Sequence, residues 1–385
     1  MTRGRVGRAA ILGLLLAGCV SAAKVADIAP GDRPAEQSDE AGLWLVMERA
    51  EANLRSSGRV VEDPALNAYL RSVACKVAPE LCADIRIYLV EVPEFNASMA
   101  PNGFMSVWTG LMLRCRNEAQ LAYILGHEIG HYQRRHTVKQ WRAAKDTSNF
   151  MLFANIVLAG AGVGVAGYAV DLAAVGGFMA YGRDHEREAD AIGFERMVQA
   201  GYDPDEAVAL WQALIEESEA GEENQPFFFF ATHPGMQERV KNLGALAAIA
   251  AATEGATNED AYLAATLPFR GKWLRDELRR RNFGRTEVVL DHLDHAGRNR
   301  GEIAYYRGEL YRLRGEDGDE RKAVEAYQAA LAQPDGPAEA RRGLGEVYRR
   351  MGKPEEARAA FTEYLRLAPD APDRAMIEAW LASPS

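Results

Sequence analysis

The chain has 385 residues, 48% hydrophobic and 26% charged, with a formal net charge of −10. That is an ordinary globular composition, ample for a packed core and long enough for two domains. The acidic balance excludes nucleic acid as a natural partner, because a polyanion needs a basic face.

Arg3, Arg5 and Arg8 precede an apolar run from Ala9 to Ala17, the pattern of a signal sequence rather than of structure. The run ends in Leu16-Ala17-Gly18-Cys19, which resembles the bacterial lipobox, where cleavage before the cysteine is coupled to acylation of its thiol. The resemblance implies a signal over residues 1–18 and Cys19 as the lipidated first residue, anchored to a membrane. Because Val20 is not the aspartate of inner-membrane retention, it points to the periplasmic leaflet of the outer membrane. Cleavage there removes three arginines and no acid, so −10 becomes −13. Residues 19–40 then form the anchor and a flexible tether, since 20–40 are rich in Ala, Pro, Asp, Glu and Ser without apolar period.

Residues 41–80 read as helices, with Asp63 as a cap and Pro64 at the first helical position. Cys75 and Cys82 flank Ala78-Pro79, where a helix should end; they form a local disulfide or stay as buried thiols, and Cys115 is left over. No CxxC spacing occurs, which argues against a zinc site built on cysteine. Asp84 to Val92 and Phe104 to Thr109 are strand-like, joined through Pro101-Asn102-Gly103, whose Asn-Gly pair favours a turn. Asn96, Ala97, Ser98 and Met99 would form an edge open to an extended peptide by strand addition, or merely one arm of a hairpin.

The stretch Glu118 to Arg135 has Leu121, Leu125, Ile129 and Tyr132 at helical spacing, one stripe facing inward with the histidines on a neighbouring stripe. Within it, His127-Glu128-Ile129-Gly130-His131 sets two imidazoles four positions apart on one helix face, where they can share a metal. Glu128 lies between them as the candidate general base toward water acidified by zinc. A catalytic zinc needs a third protein ligand. Arg183 to Gln199 also reads as a helix, and it brings Glu186 as that ligand, with Asp190 on the same face to fix a ligand histidine's tautomer or orientation. His185 and Glu188 point elsewhere.

Between these halves, Phe150 to Tyr181 carries Asp171 as its only charge. The segment reads either as a buried helical hairpin or as one that meets the membrane, and both histidines and Glu186 must stay on one side of any bilayer. Downstream, Phe227 to Phe230 lead into Thr232-His233-Pro234. His233 would either reach the metal as a latch in the position water needs, or orient a neighbouring group from outside the ligand set. Arg239 is expected to anchor this loop to a carboxylate, and the phenylalanines to be core or to line a substrate groove.

In the last third, Gly308, Tyr311 and Gly315 match Gly345, Tyr348 and Gly352 at an offset of 37, and Ala323, Tyr327 and Ala330 match Ala357, Phe361 and Tyr364 at 34. This resembles the tetratricopeptide (TPR) pattern, in which small residues let helix pairs approach and aromatic rings fill the gaps. A weaker unit around Gly284, Val289 and Leu293 precedes, and Asp373 to Leu381 with Trp380 would cap the stack. His292 and His295 read as solvated.

Taken together, Asp63-Pro64 with Tyr69, Asn96 through Leu111, the EAQLAYILGHEIGHYQRRH and RDHEREAD stretches, Thr232-His233-Pro234 with Arg239, and the repeats resemble the HtpX-like and CAAX-prenyl-protease type of gluzincin metallopeptidase, above all its BepA-like periplasmic members that append TPR repeats. Relatives commonly show a Pro-Gly-Gly-like turn where this chain has Met99-Ala100-Pro101-Asn102-Gly103. The resemblance implies an α+β, mostly α fold: a zincin-like catalytic domain with a small sheet and the HExxH helix over 41–266, then an all-α TPR solenoid over 267–385. It implies one catalytic zinc on His127, His131 and Glu186 with Glu128 as base. It also implies an endopeptidase of the bacterial cell envelope that degrades misfolded or stalled proteins, with repeats that recruit clients or an outer-membrane assembly machine. The competing expectation is a latched, chaperone-like assembly factor for outer-membrane proteins that cuts little.

Overall fold

A computed structural model describes residues 25–145, 182–221, 229, 233, 235–250, 254–294 and 297–383. The apolar segment 150–181, Cys19, His295, Thr232 and Pro234 lie outside the described residues. Among the described residues no helix is long and apolar enough to cross a membrane.

Helix α1 (Asp39–Ser56) starts where the Ser38 hydroxyl accepts from the Ala41 N–H. Helix α2 (Pro64–Val77) starts as its sequence predicts, with Asp63 accepting from Leu66 N–H and Pro64 in the first turn. A disulfide joins Cys75 to Cys82 just past its end, and Cys115 is free and buried. Strands β1 (Arg86–Val90), β2 (Ala97–Met99) and β3 (Phe104–Trp108) form one sheet in the order β1-β3-β2, with β1 parallel and β2 antiparallel to β3. The β2–β3 turn closes by Gly103 N–H to the Ala100 carbonyl at 3.0 Å. Gly103, at φ 84°, takes the left-handed position, and Asn102 does not.

Helices α3 (Thr109–Arg114), α4 (Glu118–Gln133) and α5 (His136–Lys145) follow, then α6 (Arg183–Gln199), α7 (Asp205–Glu219) and α8 (Met236–Ala250). The single inward stripe expected for α4 is too narrow a reading: every residue from Glu118 to Tyr132 is buried. The sheet, α2, α6 and α7 surround α4, so the metal-facing side is covered as well as the apolar one. Residues 27–33, which composition assigns to the tether, lie against this body. Ile28 is buried with its N–H on the Gln133 carbonyl, and Gly31 N–H reaches Asp84. Asp27 also pairs with Arg134 and Arg33 lies over the Trp44 ring, so ion-pair, cation–π and backbone contacts join the buried Ile28 in docking a segment whose average composition is polar.

Helix α9 (Glu259–Arg279) runs unbroken through residues 266 and 267, where the sequence reading divides the chain. It is followed by α10 (Phe283–Asp294), α11 (Arg300–Arg314), α12 (Asp319–Leu331), α13 (Glu339–Arg350), α14 (Pro354–Leu367) and α15 (Arg374–Ala382). The repeat geometry has a simple cause. An added Cβ on Gly308 or Gly343 would stand 2.5 or 2.3 Å from the Tyr327 ring, so the two glycines make the slot that this ring fills. Trp380 of α15 meets Phe361 edge-on at 5.1 Å and closes the stack. One continuous hydrophobic core extends from Ile28 through the sheet and α4 to Leu310 of α11, and smaller clusters hold the later repeats.

Candidate metal centre

Helix α4 presents His127 and His131 one turn apart, with Nε2 atoms 3.1 Å from each other. Helix α6 crosses α4 at close range because Gly193 has no side chain; a Cβ there would lie 2.7 Å from the His127 backbone nitrogen. That approach carries Glu186 to 3.4 Å from His131 Nε2 and 3.7 Å from His127 Nε2. His233 stands between them, its Nδ1 3.1 Å from Glu186 Oε1 and 3.4 Å from His127 Nε2. Donor atoms of His127, His131, Glu186 and His233 all lie within 4.8 Å of one another, and all four residues are buried. The six edges of a tetrahedron with bonds of about 2.0–2.1 Å are each about 3.3–3.4 Å. The measured separations bracket that length, and two imidazoles, a carboxylate and a third imidazole are donors suited to zinc, so the residues fit a metal.

The groups behind the donors set their protonation. His127 Nδ1 is 3.0 Å from Asp190 Oδ1, so its N–H donates there and its Nε2 keeps a lone pair for a metal. Asp190 is also held by Tyr123 OH at 2.7 Å and by Arg239 Nε at 2.8 Å. Arg239, on α8, reaches Glu186 Oε2 with Nη1 at 2.7 Å and lies 3.9 Å over the Trp211 ring. Sequence reading expected Arg239 to tie a loop to a carboxylate; it instead grips the two acids of α6 from a helix. Burial alone would raise Glu186, but His233 and Arg239 hold it well below the usual carboxylate range. Burial opposes ionisation of Asp190 as well, and Arg239 and His127 draw it down.

His131 is served differently. Its Nδ1 lies 2.9 Å from His136 Nδ1, and His136 Nε2 lies 3.0 Å from Glu188 Oε2. A lone pair on His131 Nε2 requires Nδ1–H to donate to His136, whose Nε2–H then donates to Glu188. His185 stacks on His136 at 4.1 Å. Sequence reading missed His136, and it set His185 and Glu188 aside as pointing elsewhere. They do point away from the metal donors, yet they support them through His136. Burial lowers both His131 and His136 to about 3, so both are neutral near pH 7.

Glu128 is buried, its Oε1 has no hydrogen-bond partner among the described residues, and His233 Nε2 stands 3.8 Å away. Burial pushes its carboxyl up to about 7, against the pull of His233 and of the Met99 backbone. Met99 belongs to β2, one of the sheet's two edge strands. Asn96, just ahead of it, is buried with Oδ1 unpaired among the described residues. Phe229 is core: it stacks on His233 at 4.3 Å and meets Phe95 edge-on at 5.0 Å. His292 pairs with Glu216 at the surface at 3.0 Å and takes no part in this site.

Comparison with known proteins agrees with this geometry. Residues 316–381 match the tetratricopeptide repeat model. The chain is 25% identical to a putative beta-barrel assembly-enhancing protease of Vibrio cholerae over 196 residues, 49% of this chain and 40% of that protein. It is 28% identical to a mitochondrial metalloendopeptidase of Schizosaccharomyces pombe over 158 residues, 41% of this chain and 45% of that protein. These two matches thus span less than half of each relative. A beta-barrel assembly-enhancing protease of Yersinia pestis is 27% identical over 342 residues, 84% of this chain and 68% of its own length. Residues 50–247, which contain every donor described above, match the model of peptidase family M48, and the chain belongs to that family.

Proposed function

We propose that this protein is a zinc-dependent endopeptidase of the bacterial cell envelope, lipid-anchored through Cys19 at the outer membrane, that degrades misfolded or stalled envelope proteins. The observation that carries the reading is the convergence of His127, His131 and Glu186 beside a buried carboxylate, Glu128, whose Oε1 is unpaired among the described residues. These three residues would hold the ion, and zinc bound there supplies Lewis acidity that acidifies water and polarises a carbonyl. Glu128 takes the proton that water loses and delivers it to the departing amine nitrogen. A buried carboxylate whose Oε1 is unpaired among the described residues is placed for both transfers. Arg239 and Asp190 keep Glu186 and His127 in place, while His136 and Glu188 keep His131 as the Nδ1–H tautomer. Strand β2 offers its outer edge to an extended chain, with main-chain hydrogen bonds giving affinity and little sequence demand, which suits unfolded substrates. The relatives' names support a role in beta-barrel assembly, with the repeats recruiting clients or the assembly machinery.

One observation favours the latched, chaperone-like reading as well. His233 is a fourth donor, and four protein donors leave no position for water. The two readings separate in one experiment: zinc-loaded full chain, its Glu128→Gln and its His233→Ala variants are incubated with an unfolded protein. Cleavage lost in Glu128→Gln with zinc still bound supports the peptidase. Turnover that appears only in His233→Ala supports the latch. A Glu128→Gln variant that cuts as well as wild type refutes the mechanism.

A further inference from the structure

The repeats carry a groove of 400 Å³, within the roughly 300–1,000 Å³ typical of ligand sites. Its lining comes from alternate helices: Arg275 and Arg279 from α9, Arg281 just past the end of α9, Tyr305 and Tyr306 from α11, and Arg342 from α13. The arginines form two banks, and the tyrosines form the floor. Glu309 is the one acid in the lining, and it is engaged by Arg312 and by the Tyr327 hydroxyl.

The arginines differ in what they already hold. Arg342 pairs with Glu346 and Asp373, and Arg279 with Asp276. Arg275 donates only to the Tyr306 hydroxyl at 3.1 Å, and Arg281 lies over the Phe283 ring at 5.6 Å; neither meets an acid among the described residues. Arg281 also has φ 58°, the left-handed position that commonly falls to glycine or asparagine at a helix end. In a chain of net charge −10, a cationic cleft opposes the overall sign, which concentrates its attraction for an acidic partner while the surrounding surface repels one.

We propose that this groove binds an extended acidic segment of a partner polypeptide, with carboxylate side chains on Arg275 and Arg281 at one bank and on Arg342 at the other. Neighbouring helix axes lie ~8–10 Å apart, so the banks, two helices apart, are separated by about 16–20 Å. An extended chain covers that in about five or six residues. The segment therefore carries acidic positions about five residues apart, and its apolar or aromatic middle lies on the half-buried Tyr305, which Tyr306 backs from beneath. The inference rests on the reading of the repeats as the recruiting end and names the chemistry they recruit.

The test is fluorescence anisotropy on the full chain carrying Glu128→Gln, with a labelled decapeptide bearing two acidic pairs about five residues apart. Control probes replace the acids by their amides or amidate the C-terminus. The acidic probe binds at least tenfold more tightly than its amide analogue, and added salt weakens it. The Arg275→Glu/Arg281→Glu double variant loses at least tenfold, as does the milder Arg275→Gln/Arg281→Gln pair, with thermal unfolding unchanged. The charge-matched Arg321→Glu/Lys322→Glu change on α12 stays within twofold. Equal binding of acidic and amide probes, no binding at all, equal losses in both charge-reversal pairs, or dependence on the free C-terminus alone each overturns the proposal. Because binding is read without cleavage, binding retained in a chain that never cuts counts against the peptidase alone, and cleavage without binding counts against the groove alone.

Discussion

At the scale of single residues, the centre depends on groups that never touch a metal. Removing the support of a ligand histidine typically costs ~10–100-fold in metal affinity. His136→Phe should therefore weaken zinc binding to that extent in competition with a chromophoric chelator, and Asp190→Ala should do the same through His127. The pH dependence has a definite sign. His131 and His136 have folded pKa values of about 3, below the ordinary 6.5, so their stabilising contribution is complete above pH 6.5 and is lost as pH falls toward 3. The metal-free chain should melt progressively lower as pH drops from 7 to 5, whereas zinc should stay bound over that range, because ligands that take up protons only near pH 3 remain neutral there. A flat melting profile there would refute the assignment. The pairing of His127 with His131 was legible in sequence because spacing of four on a helix fixes a shared face. His136 was not, since five residues along a continuous helix is about 140° away from His131. Arg135, at φ 55°, breaks the chain between α4 and α5 and brings His136 back onto His131. That backbone reversal has no signature in the residue pattern.

Among elements, the contact of α4 with α6 positions the chemistry. Gly193→Val would press methyl groups on the His127 backbone, and it should abolish zinc binding and lower the melting temperature, whereas Ala191→Val on an exposed face of α6 should change neither. In the repeats, Tyr327→Ala would empty the slot between Gly308 and Gly343 at a cost of about 3–5 kcal/mol, measured by urea unfolding. The repeats could be read because their ring-and-glycine complementarity recurs with a period. The docking of residues 27–33 could not, since a lone Ile28 is too little for any periodicity. The outer strand could be read as strand-like, but its place beside Glu128 depends on the mixed sheet order, which no local pattern encodes.

For the whole molecule, the core joins catalytic and repeat regions, and a buried charge cluster reinforces the join. Arg114 of α3 meets Glu217 of α7 at 2.6 Å and Glu277 of α9 at 3.0 Å, all three buried. Replacing Arg114 by Met removes the cation that Glu217 and Glu277 share and leaves Glu277 to Arg280 alone, and breaking a buried pair typically costs ~3–5 kcal/mol. Hydrogen exchange should show α7 and α9 loosening together in that variant; protection lost in one alone would refute the coupling. The same join decides where the gene can be cut. Since Trp273, Leu274 and Leu278 lie in the common core and Glu277 pairs with Arg114, a stop codon at residue 266 would strip the peptidase of part of its own wall. Such a fragment should be recovered as aggregate rather than as a minimal enzyme. For anyone seeking crystals or a smaller reagent, the shortest useful clone is therefore one that runs on through α11, where the common core ends.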